Sequence, residues 1–263
     1  ALGAVPSTTL GYEKLINPAF QFADEEAFVR WLLADQPEAP RYFAQMKRVN
    51  KIGPELVRHL LPPKLLTARD LARVLDEGEL VVDLRPAHLY AQRHLPGALN
   101  IPATNRTFST YIGWWVDYAR PLYFIAPSLT EVDEIVQALR AIGIDNVPGY
   151  FGPESVRNAR GGLSTISAQA LAERLPRNGL IVLDVRGRTE YASGHIAGAR
   201  NIPLGHLPQR LAEVPRDRTI VTQCATGYRS QIAASVLRAH GYHDVLSLND
   251  GIEQWSRLLP VEK

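Results

Sequence analysis

Cysteine is nearly missing from this chain of 263 residues: there is one, Cys224. A single thiol excludes an internal disulfide framework and any metal site built from several thiolates. The seven histidines, at 59, 88, 94, 195, 206, 240 and 243, contain no HxH or HExxH spacing. His240 and His243 are close together but flank a helix end at Gly241, and two ligands do not close a metal site. No metal or cofactor is therefore expected. Charge of one sign is also scarce. The net charge of +2, with no run of Lys and Arg, gives no electrostatic footprint for nucleic acid. No apolar run approaches the length of a membrane span. The opening ALGAVPSTTLGYEK has neither a basic nor an apolar leader pattern, which leaves a cytoplasmic location as the expectation.

What is present is a balance of 46% apolar and 21% charged residues, enough to bury the cores of two ordinary domains. Those domains are legible as an internal repeat. LVVDLRPAHLYAQRHLPGALNIP, Leu80 to Pro102, aligns without gaps on IVLDVRGRTEYASGHIAGARNIP, Ile181 to Pro203. Asp83 then matches Asp184, Arg85 matches Arg186, Tyr90 matches Tyr191, His94 matches His195 and Gly97 matches Gly198. The later halves, from Pro121 and from Thr219, also align without gaps. Short apolar runs at Leu80–Asp83, Leu180–Asp184, Leu122–Ile125 and Ile220–Thr222 read as buried strands. The helices that follow carry apolar stripes, Val132, Ile135, Val136 and Leu139 in one copy and Ile232, Ala233, Val236 and Leu237 in the other. Gly143 and Gly241 end them. Strands alternating with helices of this length predict α/β domains, each a parallel sheet with helices on both faces.

Thr67 and Ser167 read as N-caps of the helix that opens each copy. The domains are placed at 63–152 and 163–263, with the polar, Gly-flanked stretch 152–162 as linker. Residues 1–62 belong to neither copy. There Asp24 can cap a helix reaching Leu33, and Pro40 can open another carrying Tyr42, Phe43, Met46 and Val49. Short helices of this kind dock on a larger body.

The chemistry is concentrated in Gln223-Cys224-Ala225-Thr226-Gly227-Tyr228-Arg229-Ser230, between a buried strand and a helix. A loop curling into a helix aims successive N–H groups at its centre, and the helix N-terminus adds partial positive charge. Arg229 adds a cation. All three favour thiolate over thiol, which suits a nucleophile and a persulfide holder. Gly227 tolerates the positive φ of such a curl. A lone cysteine is elsewhere more often a buried, inert small hydrophobe; strand, CxxGxR and helix together argue for a functional thiol.

Both copies resemble the rhodanese, or sulfurtransferase, fold, and CATGYRS resembles that family's active loop. The D-x-R strand end, the G-H-I-x-G-A-x-N-I-P segment and Asn249–Trp255 (NDGIEQW) also fit the pattern. The resemblance spans about 190 residues. It implies an enzyme, a sulfurtransferase. Cys224 takes a sulfane sulfur from thiosulfate or a thiol persulfide, holds it as a persulfide and passes it to an external thiol or to cyanide. The N–H groups from Ala225 to Arg229 would cradle the persulfide, with Thr226, Gly227, Tyr228 and Ser230 as substrate-binding positions. Asp184 and Arg186 either brace the rim of the site as an ion pair or are turn and cap residues. His195, Gly198 and Pro203 recur unchanged in the first copy and read as structural.

In the first copy Ala126 stands where Cys224 stands, and the loop APSLTE has neither the Gly nor the Arg. This predicts an inactive domain serving as scaffold or docking surface. Tandem rhodaneses specialised for thiosulfate carry basic residues inside the loop, whereas Ala-Thr-Gly-Tyr is uncharged and Glu190 is expected near enough to repel a dianion. A less charged donor, such as a thiol persulfide, is at least as consistent with these residues. Residues 1–62 resemble the end of the metallo-β-lactamase-fold unit of persulfide dioxygenase–rhodanese fusions. The resemblance implies that this chain is the C-terminal part of such a fusion. The HxHxDH iron motif of that unit is not among these residues. Two alternatives stay open: a rhodanese-fold phosphatase, whose loop is CX5R where this one is CX4R, and a non-catalytic redox-sensing or binding module.

Overall fold

The computed structural model describes residues 7–34, 39–177 and 179–263; the opening ALGAVP of the N-terminal segment lies outside them. Two units are distinguished, residues 1–38 and 39–263. In the first, α1 (Leu10–Ile16) is capped by Thr9, and α2 (Glu25–Ala34) has the expected Asp24 cap, whose Oδ1 accepts the Ala27 N–H at 2.8 Å.

The second unit opens with α3 (Arg41–Ile52), which starts after Pro40 as expected. The first parallel sheet contains β1 (Lys64–Leu65), β2 (Leu80–Asp83), β3 (Leu99–Asn100), β4 (Leu122–Ile125) and β5 (Gly149–Phe151) in the order β1-β5-β4-β2-β3. Its helices are α4 (Ala68–Asp76), α5 (Ala87–Gln92), α6 (Phe108–Ile112) and α7 (Val132–Arg140). The second sheet repeats the plan. Strands β6 (Ser164–Ile166), β7 (Leu180–Asp184), β8 (Arg200–Asn201), β9 (Thr219–Gln223) and β10 (Val245–Leu248) run β6-β10-β9-β7-β8. Here the helices are α8 (Ala168–Arg174), α9 (Arg188–Ser193), α10 (Tyr228–Ala239) and α11 (Gly251–Leu258). Every strand pair is parallel. Thr67 and Ser167 cap α4 and α8 through their side chains. No described helix is long and apolar enough to cross a membrane.

Alternation along the strands explains the layers. Successive side chains point to opposite faces, so neighbouring residues serve different cores. Val81 packs with Leu71, Val74 and Phe151 on one face of the first sheet, while Val82 faces the other way. In the second sheet Val182 packs with Leu171, Leu248 and Trp255, while Leu183 faces the other way. The faces of Val82 and Leu183 belong to one continuous apolar cluster shared by both repeats. Helix α10 runs through that shared core. Its residues from Ser230 to Leu237 are all buried, so it is covered on every side. Edge strand β3 supplies one of those covers: the Asn100 N–H donates to Ser235 Oγ at 2.9 Å, and Gln231 Nε2 donates to Asn100 Oδ1 at 3.3 Å.

A polar framework is copied between the repeats. Asp83 and Arg85 form a buried two-toothed ion pair with a shortest contact of 2.6 Å, and Asp184 and Arg186 form the same pair at 2.6 Å. Each arginine also donates to a main-chain carbonyl eight residues on, Arg93 or Gly194, at 2.8 Å. Asn100 bridges the carbonyls of Asp83 and Arg85, and Asn201 those of Asp184 and Arg186. His94 and His195 stack on Tyr90 and Tyr191 at 4.0 and 3.9 Å. Both readings of Asp184 and Arg186 are seen: the ion pair, and a turn in which Asp184 Oδ1 accepts the Arg186 N–H at 2.9 Å. The pair's presence in the copy without a thiol marks it as a strut of the fold.

Breaking a buried ion pair from one side leaves an uncompensated charge and costs about 3–5 kcal/mol. Asp83→Ala and Asp184→Ala are therefore expected to destabilise the chain by similar amounts in urea unfolding, although only one of them neighbours the cysteine.

Candidate active site

Strand β9 ends at Gln223, and the next residue is Cys224, only 1% exposed and with a free thiol. The chain then curls through Ala225 and Thr226 to Gly227, which caps α10 at φ +100°. That left-handed conformation is strained for any residue with a Cβ, and a Cβ there would also sit 2.3 Å from the Asn249 carbonyl oxygen. The curl aims the Gly227 N–H at Cys224 Sγ, 3.2 Å away. Behind the sulfur lies Ser230 Oγ at 3.8 Å, itself within reach of the Gly227 and Leu248 carbonyls at 2.8 and 2.9 Å. Ser247 Oγ donates to Ser230 Oγ at 3.2 Å, which extends a hydroxyl chain into the protein.

The segment after β10 closes the loop from the far side. Ile252 N–H donates to the Cys224 carbonyl at 2.9 Å. Gly251, at φ +66°, lies so close that a Cβ would meet the Ala225 carbonyl oxygen at 2.0 Å. The start of α11 is thus the wall against which the loop is moulded.

Arg229 and Glu190 form a two-toothed ion pair, both contacts 2.7 Å, from α10 to α9. Glu190 also accepts the Gly187 N–H at 3.1 Å. Hydrogen bonding from Arg229 holds the Glu190 carboxyl below its ordinary range, and Glu190 raises the Arg229 guanidinium above its own. Glu190 does lie beside the loop, as expected. The expectation that Arg229 brings a full positive charge to the thiol is corrected, because that charge is largely matched by Glu190.

The first domain borders the site. Tyr228, which opens α10, donates its hydroxyl to the Pro102 carbonyl at 2.8 Å, and its ring lies 5.3 Å from that of Tyr111. Thr226 is exposed and Ala225 half-buried. The structure thus gathers Cys224, Gly227, Ser230 and Arg229 around one loop, turns the Tyr228 hydroxyl toward the other repeat, and keeps Asp184 and Arg186 in the framework. Ser247, Tyr111 and the Glu190–Arg229 pairing escaped sequence reasoning, since nothing local links residues so far apart. In the first copy Ala126 is buried, and a 3-10 turn at Leu129–Glu131 replaces the left-handed glycine. Val132 stands in the position of Ser230, so that copy lacks the hydroxyl as well as the thiol. Among the described residues no group of three or more His, Cys, Asp or Glu is placed to hold a metal ion.

The rhodanese-like domain model matches residues 67–169 and again 167–258. The chain belongs to the rhodanese-like family. It is 35% identical over 96 residues to a sulfurtransferase of Allochromatium vinosum, a match covering 36% of this chain and 90% of that one. It is 36% identical over 95 residues to the thiosulfate sulfurtransferase GlpE of Pseudomonas fluorescens, covering 36% of this chain and 84% of the relative. Among solved structures it is similar to a rhodanese-related protein from Thermoplasma volcanium, with 32% identity, TM-score 0.36, and coverage of 38% of this chain and 97% of that one. It is also similar to a metallo-beta-lactamase from Staphylococcus aureus, with 36% identity, TM-score 0.46, and coverage of 58% of this rhodanese-like chain and 42% of the other.

The Glu190–Arg229 pair gives a pH signature. A carboxyl with a lowered folded pKa contributes stability above its unfolded value of 4.5, and that stability is lost as the pH falls through the folded value. The gap in urea midpoint between the native chain and Glu190→Gln is expected to be full at neutral pH and to close below pH 4.5.

Proposed function

We propose that this rhodanese-like chain is a sulfurtransferase in which Cys224 carries the sulfur. The observation that carries the reading is the Gly227 N–H directed at Cys224 Sγ from 3.2 Å within a loop capping α10. A sulfur added to Sγ extends toward the loop's backbone donors, a concave arrangement suited to an anion. The sulfurtransferase relatives of Allochromatium and Pseudomonas support the same chemistry.

In this reading the Cys224 thiolate attacks the terminal sulfur of the donor. The Sγ–S bond forms, the donor S–S or S–sulfonate bond breaks, and its electron pair departs on a thiolate or sulfite. N–H groups from Ala225 to Arg229 hold the resulting persulfide, with Thr226, Gly227, Tyr228 and Ser230 completing the pocket. An acceptor thiolate or cyanide then attacks the outer sulfur and releases the Cys224 thiolate. No electrons are gained or lost overall. With one cysteine in the chain, no internal thiol can take the sulfur, so the acceptor is external.

Arg229 borders the loop and holds the Glu190 carboxylate in a two-toothed pair. Because that cation is already matched, the site favours a thiol persulfide over dianionic thiosulfate. Asp184 and Arg186 support the strand ends on which the loop rests. The domain at 63–152, with Ala126 in place of the thiol, acts as a scaffold for the domain at 163–263. Residues 1–62 are the end of a metallo-β-lactamase-fold unit, and the chain is the C-terminal part of a persulfide dioxygenase–rhodanese fusion. This rests on their sequence resemblance. The compact six-residue ring from Cys224 to Arg229 disfavours a phosphatase, which has a tetrahedral phosphoryl group to enclose.

Incubation with thiosulfate or glutathione persulfide is expected to add one sulfur atom to the intact mass. Cyanide should remove it as thiocyanate, and Cys224→Ser should neither gain nor release sulfur. Absence of the added sulfur with both donors, in folded protein with a free thiol, would leave the redox-sensing module as the better description.

A further inference from the structure

The entrance to the Cys224 loop is built partly by the other repeat. Helix α6 places Tyr111 against Tyr228, with ring centroids 5.3 Å apart and planes tilted by 58°. Tyr228 follows Gly227, the residue whose N–H reaches Sγ. The two phenols differ in what they do. Tyr228 is engaged, donating to the Pro102 carbonyl at 2.8 Å. The Tyr111 phenol makes no hydrogen bond to any described residue, although its main chain does, with the Tyr111 N–H donating to the Thr107 carbonyl at 3.4 Å. Burial raises its pKa; the charge on Arg229 opposes the rise, and those of Cys224 and Glu190 add to it. The ring thus lies against the first turn of α10, and its phenol is a donor with no partner among the described residues.

A departing thiolate needs such a donor. When the donor S–S bond breaks, negative charge develops on the leaving sulfur, outside the ring of N–H groups that receives the transferred atom. The nearby cation, Arg229, is held by Glu190 through two contacts of 2.7 Å.

We propose that Tyr111, contributed by the domain without a thiol, positions the sulfur donor by donating its phenolic O–H to the departing thiolate of a thiol persulfide. This rests on the sulfur-transfer reading of Cys224. The bonds balance as follows. Cys224 thiolate attacks the outer sulfur of R–S–SH, the Sγ–S bond forms, the donor's S–S bond breaks, and R–S⁻ leaves with the electron pair. The outer sulfur keeps its proton until solvent removes it. Tyr111 lends a hydrogen bond throughout and loses no proton. The role also gives the inactive copy a function beyond support: it completes the site of its neighbour.

The test is single-turnover sulfur loading of Cys224, followed by intact mass, in the native chain, Tyr111→Phe and Cys224→Ser. Glutathione persulfide is compared with an aryl persulfide, whose thiolate leaves without assistance. Losing a hydrogen bond to a charged group is worth about a ten- to hundred-fold rate. Tyr111→Phe should slow loading from glutathione persulfide by that factor, and loading from the aryl persulfide by much less. Its melting temperature and its Cys224 alkylation rate with iodoacetamide should not change. Equal rates for native and Tyr111→Phe chains, or equal losses with both donors and with iodoacetamide, would overturn the proposal. If the native chain loads no more sulfur than Cys224→Ser, the sulfur-transfer reading itself falls and takes this inference with it.

Discussion

Helix α10 has no free side, and most of the structure follows from that constraint. Eight consecutive residues, Ser230 to Leu237, are buried between its own sheet and the edge of the neighbouring one. A helix covered all round cannot shift without opening a core, because protein interiors are packed nearly as densely as crystals. Its first turn is therefore a fixed reference point. Gly227 caps that turn, and its N–H stands 3.2 Å from Cys224 Sγ. The loop's precision thus comes from the packing of a helix whose far side is held by the other repeat.

Much of this was legible in the sequence, because the repeat is strong where the framework is strong. Asp, Arg, Tyr, His and Asn recur at matching positions, and each pair makes matching contacts, down to histidines stacked on tyrosines at 4.0 and 3.9 Å. The strand and helix positions followed from apolar spacing, and the loop from a cysteine and glycine between a strand and a helix. The apolar stripe of α10 was visible too. Its opposite face was not, because Gln231 and Ser235 are polar and look solvent-facing until Asn100 is placed against them. Hydrogen-bonded polar residues conceal a buried face from any reading based on hydrophobic period.

The same limit applies to the site. Glu190 and Arg229 lie 39 positions apart, and only the fold brings their charges together. Taken singly, the arginine is a free cation and the glutamate a repulsive anion. As a pair they offset one another, which leaves the Gly227 N–H as the donor directed at the sulfur. A fixed backbone donor costs no reorganisation as charge develops, which fits the proposed holding and release of a persulfide. The two repeats differ at their loops. One has Ala126, Leu129 and Val132 where the other has thiol, glycine and hydroxyl, yet both carry the same Asp–Arg pair, Asn bridge and His–Tyr stack.

The central claim is that the loop's backbone donors hold the sulfur carried by Cys224. Amide hydrogen exchange at residues 225–229, compared before and after sulfur loading and again after cyanide discharge, tests it most directly. The account predicts slower exchange of those amides in the loaded protein, Gly227 included, and a return to the starting rates once cyanide removes the sulfur. Rates that stay the same through loading and discharge, with Cys224 verified as a persulfide by mass, would contradict it.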